Sequence, residues 1–312
     1  MTLAILCSGQ GRQHREMFAL TGDAPEAAHL FAHAATLLGG KDPRDFVGTE
    51  PDEALHRNRA GQILCTVQAL AAAAALGDAI PCGVIIAGYS VGEIAAWSIG
   101  GLFDATVALD LVVRRAEAMD AATRAGDGLI FVRGLRREEL DRLCERYDAA
   151  IAIVNPGDAF VIGGGREALD GIAAEARAMH AARIVVLPVE VASHTRRLAG
   201  ASAVFREVLG SVPVVFPPRT GGRILSGIDA APVVSLESGL DKLAAQISHT
   251  VQWADCLQAC VEAGATGFLE LGPGHALSAM VAGIDTGLSA RSLDDFRSMQ
   301  GVRGWIAHHL GA

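Results

Sequence analysis

The chain has 312 residues, 51% hydrophobic and 20% charged, which is enough apolar material for a sizeable core and too little charge for a disordered chain. Lys+Arg 26 against Asp+Glu 35 leaves a formal charge of −9, so no nucleic-acid partner is expected. The six cysteines are scattered without a CxxC pair, and neither a signal segment nor a run of about 18 apolar residues stands out; the expectation is a cytoplasmic protein with reduced thiols and no membrane partner. Cys256 and Cys260, like His29 and His33, share i,i+4 spacing but lack a third ligand, so no metal site is expected.

Leu3 to Cys7 reads as a short buried strand, followed by the glycine-rich turn Ser8-Gly9-Gln10-Gly11. Thr49-Glu50-Pro51-Asp52 signals a helix start, and a long apolar helix is predicted from about Asn58 to Leu76. Val84-Ile85-Ile86 is a buried strand that runs into Gly88-Tyr89-Ser90-Val91-Gly92-Glu93 and a helix to about Ile99. A further helix begins at Asp104 and carries Arg114 and Arg115. From about Gly126 the pattern becomes strand (Leu129–Val132), helix (Arg136–Tyr147), hairpin (Ala150–Val154 with Ala159–Ile162), helix (Arg166–His180) and strand (Arg183–Val189). That β-α-β-β-α-β order is ferredoxin-like. The Gly163-Gly164-Gly165 run fits a turn at the end of the hairpin. Later come a helix around Trp253–Ala263 and the strand Phe268–Leu271, which ends in Gly272-Pro273-Gly274-His275. The last run has only a faint likeness to a dinucleotide fingerprint, because a proline stands in the turn and the third small residue is missing.

Gly88-x-Ser90-x-Gly92 matches a nucleophile elbow, in which small neighbours let the chain turn sharply and present a serine at a helix N-terminus. In a chain with 36 glycines the pattern alone is cheap. The strand before it and the helix after it give it weight. His194, in Val191-Ala192-Ser193-His194, follows a strand and is the candidate base. Oxyanion donors can come from the Val91 N–H and the Gly9-Gln10-Gly11 turn. Adjacent arginines differ by about 100° of helical rotation, so one of Arg114 and Arg115 can face a cleft, where its planar fork suits a carboxylate.

Taken together, Ser8-Gly9-Gln10-Gly11-x-Gln13, Gly88-Tyr89-Ser90-Val91-Gly92-Glu93, Arg115, Asn155-Pro156, Ser193-His194, Val251-Gln252-Trp253 and Glu270-Leu271-Gly272-Pro273-Gly274 resemble the malonyl-CoA:acyl-carrier-protein transacylase family, in that family's order and over nearly the whole chain. The resemblance implies an α/β fold: an α/β-hydrolase-like catalytic domain (1–125 and 193–312) with an inserted ferredoxin-like small domain (126–192). It implies Ser90 as nucleophile, His194 as base, the Gln10 and Val91 N–H groups as oxyanion hole, and Arg115 on the malonyl carboxylate. Asn155 is implied at the pocket edge, and the Gln252 main-chain carbonyl as the group that orients the histidine. No bound cofactor is implied; malonyl-CoA is the substrate, and the pantetheine-type arm of an acyl carrier protein is the acceptor.

The usual proline of the first motif is Ser8 here, and the usual histidine before the nucleophile is Tyr89. The Tyr89 form is most similar to the epsilon subunit of malonate decarboxylase, which implies the decarboxylase carrier as partner. Arg196 and Arg197 are candidates for docking an acidic carrier. A malonyl loader of fatty-acid or polyketide synthesis, or a catalytically silent scaffold subunit, would fit the same outline.

Overall fold

The computed structural model describes residues 2–311. Strand β1 (Thr2–Cys7) is buried from Leu3 onward, as expected of a parallel strand covered on both faces. It pairs in parallel with β2 (Ile85–Gly88), so that Cys7 lies opposite Gly88. A second sheet comprises β3 (Asp127–Arg133), β4 (Ala150–Asn155), β5 (Ala159–Gly165) and β6 (Arg183–Val186). The remaining strands are β7 (Arg223–Ile224), β8 (Val251–Gln252), β9 (Ala265–Leu271) and β10 (Ser289–Ser292). The first sheet has the order β10-β9-β1-β2-β7 and is parallel throughout, while the second has the order β6-β3-β5-β4-β8. The fold is thus α/β, with one large parallel sheet and one smaller sheet.

The order β6-β3-β5-β4 is that of a ferredoxin-like βαββαβ unit. Two features differ from the sequence reading. The run Gly163-Gly164-Gly165 is strand, paired with Leu129, Gly128 and Asp127; without side chains it carries no period-2 signal. The two-residue β8 comes from far downstream and adds itself in parallel to β4, so the smaller sheet has five strands and includes a piece of chain beyond 192.

The helix Asn58–Leu76 lies where its apolar run placed it. It is long and apolar enough to cross a membrane by composition alone, yet 14 of its 19 residues are buried in the core. The pleat of β1 divides the interior. Leu3, Ile5 and Cys7 enter one core with that helix, whereas Ala4 and Leu6 enter another that also contains Leu129, Ile153, Val161 and Trp253. The second core therefore joins the faces of both sheets. The opposite face of the smaller sheet packs Ile130, Val132 and Ile162 under the helices Arg137–Tyr147 and Arg166–Ala178.

Candidate active site

At the end of β2 the chain reverses into the helix Gly92–Ile99, and Ser90 at the bend adopts φ 56°. The flanking glycines are required by contact. A Cβ on Gly88 would run into the Glu93 backbone, and one on Gly92 into the Cys7 carbonyl. Ser90 Oγ stands 2.8 Å from His194 Nε2. His194 is itself in a left-handed conformation (φ 61°) and is 2% exposed. Its Nδ1–H donates to the main-chain carbonyl of Gln246 at 2.6 Å, which leaves the Nε2 lone pair for the serine proton. Burial, and next the positive Arg115, push the imidazole down to about 3, against the pull of the Gln246 carbonyl. His194 is therefore a neutral acceptor at physiological pH.

The orienting carbonyl corrects the sequence expectation of Gln252. Both glutamines flank the same short Ser248-His249-Thr250 turn. Gln246 follows the helix Leu236–Ala245, beneath His194, whose own N–H donates to Ile247 O at 2.8 Å. Gln252 lies in β8, donates its N–H to Gly227 O at 2.8 Å and begins the helix Trp253–Glu262. The sequence motif singles out the glutamine beside Trp253, but the chain turns back between the two.

Arg115 faces inward at 1% exposure, while Arg114 is exposed and pairs with Glu117. Arg115 Nη1 donates to Gln62 Oε1 at 2.8 Å and Nη2 to Gln246 Oε1 at 3.3 Å. Two neutral amides thus hold the guanidinium, and its remaining donors have no partner among the described residues. Burial lowers its pKa to about 10, with nearby Glu93 opposing that shift, so it keeps its charge at pH 7. Glu93 is 1% exposed and is raised to about 8, chiefly by burial. Its Oε2 accepts from the Gly227 N–H at 3.1 Å and from the Gln246 side-chain amide. That amide also donates to Ser90 O at 3.2 Å. Gln246 therefore touches Ser90, His194, Arg115 and Glu93. Gln246 and Gln62 carry no motif in the sequence; the available signal was a pair of glutamines, Gln62 and Gln68, buried in a mostly apolar helix.

The Ser8–Gln10 turn lies against the elbow, so closely that a Cβ on Gly9 would stand 2.6 Å from the Tyr89 carbonyl. Ser8 Oγ donates to Glu270 Oε1 at 2.8 Å, and Ser8 N–H to Leu271 O at 3.1 Å. The N–H groups of Gln10 and Val91 have no acceptor among the described residues, as an oxyanion site requires. Asn155, 4% exposed at the end of β4, lies beside the Tyr89 phenol and has its Oδ1 without a partner among the described residues. Tyr89 packs edge-on against Trp253, with ring centroids 5.3 Å apart. Arg196 and Arg197 are not a free docking pair. Both reach Asp148, and Arg197, 17% exposed, also clamps the buried Asp127 at 2.8 Å. Cys256 and Cys260 are buried, with Cys256 Sγ 3.5 Å from Ser226 O. No group of three or more His, Cys, Asp or Glu side chains placed to hold a metal ion occurs among the described residues.

Residues 5–300 match the acyl transferase domain family. The chain is 30% identical over 295 residues, covering 93% of it and 96% of the relative, to the malonyl CoA-acyl carrier protein transacylase of Mycobacterium bovis. Among solved structures, the acyl-carrier-protein S-malonyltransferase of Burkholderia pseudomallei superposes with a TM-score of 0.89 at 27% identity, covering 97% of this chain and all of that one. A malonyl-transacylase in complex with its type II PKS acyl-carrier protein superposes with a TM-score of 0.90 at 26% identity, covering 97% and 99%. With the match extending over almost its whole length, the chain belongs to the malonyl CoA-acyl carrier protein transacylase family of acyltransferases.

Proposed function

We propose that this protein transfers malonyl from malonyl-CoA to the thiol of an acyl carrier protein through an ester on Ser90. The observation that carries this reading is the buried, still charged Arg115, held by two amides next to a hydrogen-bonded Ser90–His194 pair. Ser90 Oγ attacks the thioester carbonyl as its proton passes to His194 Nε2, and the negative oxygen falls to the N–H groups of Gln10 and Val91. The C–S bond breaks, and CoA leaves as a thiol with the proton from His194. The carrier thiol then gives its proton to His194 and attacks the ester, and Ser90 recovers the proton. Throughout, the malonyl carboxylate lies on the Arg115 fork. Atoms and protons balance with the two substrates and this chain's own residues.

Tyr89, packed between Trp253 and Asn155 beside the nucleophile, supports a finer reading: the epsilon subunit of malonate decarboxylase, loading a carrier whose arm is phosphoribosyl-dephospho-CoA. Six free cysteines suit the reducing cytoplasm. The test is intact-mass measurement after brief mixing with malonyl-CoA. One malonyl mass is gained and vanishes in Ser90→Ala; a label mapping to a cysteine would refute the ester. Offered equal amounts of the two carriers, the protein loads the decarboxylase carrier first; preference for an ordinary phosphopantetheine carrier would reassign it to fatty-acid or polyketide synthesis.

A further inference from the structure

Arg115 stands at the head of a line of hydrogen bonds that runs out to the surface. Its Nη1 donates to Gln62 Oε1 at 2.8 Å, Gln62 Nε2 donates to Asn58 Oδ1 at 2.8 Å, and Asn58 Nδ2 donates to Asp120 Oδ1 at 2.7 Å. Two packed helices supply the line: Asn58 and Gln62 stand a turn apart on the helix Asn58–Leu76, and Arg115 and Asp120 lie on the helix Ala105–Ala122. Arg115 and Gln62 are buried, Asn58 is half-buried and Asp120 is exposed. The Asn58 main-chain carbonyl also accepts from Gln10 Nε2 at 3.1 Å. Nearby Arg59 turns to Glu117 and the Leu37 carbonyl.

The line can run in one direction only, because a guanidinium only donates and a carboxylate only accepts. Arg115 takes the Gln62 oxygen, which leaves the Gln62 nitrogen for the Asn58 oxygen and the Asn58 nitrogen for Asp120. Turning Gln62 over would set nitrogen against the guanidinium and oxygen against Asn58 Oδ1; turning Asn58 over as well would set its oxygen against Asp120. Each link polarises the next. Gln246 repeats the arrangement on the other arm of the fork, with its oxygen toward Arg115 Nη2 and its amide nitrogen on Glu93. Both amides that grip Arg115 are thus backed by an acid that does not itself bond the guanidinium. An acid in direct contact would occupy the fork that an incoming carboxylate needs. An acid behind an amide steadies the fork and leaves it open.

We infer that Asn58 and Asp120 are positioning residues for the selection of malonyl: acting through Gln62, they fix the Arg115 fork before the substrate carboxylate arrives. Neither hydrogen-bonds Arg115, Ser90 or His194 among the described residues. The inference rests on the proposed malonyl transfer, in which Arg115 receives the malonyl carboxylate, and goes beyond it by placing part of the control over acyl choice in an acid at the surface. Ser90 and His194 lie on other elements, so breaking the line should loosen the grip on a carboxylate and spare the acylation chemistry.

The experiment measures acylation by malonyl-CoA and by acetyl-CoA in the wild type, Asp120→Ala, Asn58→Ala, the double variant of these two, and Arg115→Ala. Asn58→Ala keeps the main-chain carbonyl that holds Gln10. Each of the two single variants should raise KM for malonyl-CoA about fivefold, the scale of one hydrogen bond, with kcat and acetyl transfer little changed. The double variant should lose no more than either single one, as expected of two residues that act along one line. Equal losses on malonyl and acetyl would make the pair structural and overturn the inference; so would unchanged malonyl kinetics, or losses that multiply in the double variant. In each of those cases malonyl transfer itself still stands if Arg115→Ala loses malonyl selectively. If Arg115→Ala instead falls equally on both substrates, the carboxylate does not lie on Arg115, and this inference fails with that reading.

Discussion

Arg115 holds its charge in the interior without a carboxylate touching it. Gln62 and Gln246 offer carbonyl oxygens, and the nearest acid, Glu93, is engaged by the Gln246 amide and the Gly227 N–H. A guanidinium held this way keeps its Coulombic attraction for an incoming carboxylate. Arg115→Ala should therefore cost malonyl transfer about 2–5 kcal/mol in kcat/KM while acetyl transfer holds or rises; equal losses on both substrates would make the residue structural. The same charge acts on His194, second to burial. In the wild type the acid limb of acylation should lie well below the ordinary histidine value of about 6.5, and Arg115→Gln should move it upward, as read from the pH dependence of malonyl-ester formation. In stability, a histidine whose folded pKa is depressed contributes above its unfolded pKa of about 6.5, and the contribution is lost as pH falls toward the folded value. At this scale the pairing of Ser90 with His194 and the inward turn of Arg115 were legible because each carries a side chain suited to one task. The orienting group was not, since a main-chain carbonyl leaves no mark in residue identity, and the choice between Gln246 and Gln252 depends on how the intervening turn runs.

The elbow is the element on which the rest depends. Its two glycines bring the helix Gly92–Ile99 into contact with the end of β1, so Ser90 and the Ser8–Gln10 turn are positioned by one packing arrangement. Gly92→Ala should destabilise the fold by about 3 kcal/mol or more, because the clash is with backbone that cannot rotate away; chemical denaturation measures it, and a near-neutral effect would contradict the geometry. Long, strongly apolar elements, such as the helix Asn58–Leu76, were readable from the sequence. The strand Gly163–Gly165 and the two-residue β8 were not, because glycines present no pattern and a short parallel addition is fixed only by tertiary context.

In the whole molecule, the two sheets share a core through Ala4, Leu6, Leu129, Val161 and Trp253, and the chain just after the base is tied to the smaller sheet by Arg197 on the buried Asp127. Removing one partner of such a pair strands the other's charge. Arg197→Ala should lose about 3 kcal/mol of stability, and Asp127→Asn combined with it should recover much of that, as thermal melts would show; the salt dependence of carrier loading should stay as it was. Ser90 and His194 both occupy left-handed backbone, which costs a non-glycine residue about 1–2 kcal/mol. Ser90 is thus held against its own conformational preference by the surrounding fold. Ser90→Gly should melt no lower than the wild type and by up to about 1 kcal/mol more stably, while being chemically dead. Selection for thermal endurance alone would then favour losing the serine, so reactivity in this protein is a burden that only its use can maintain.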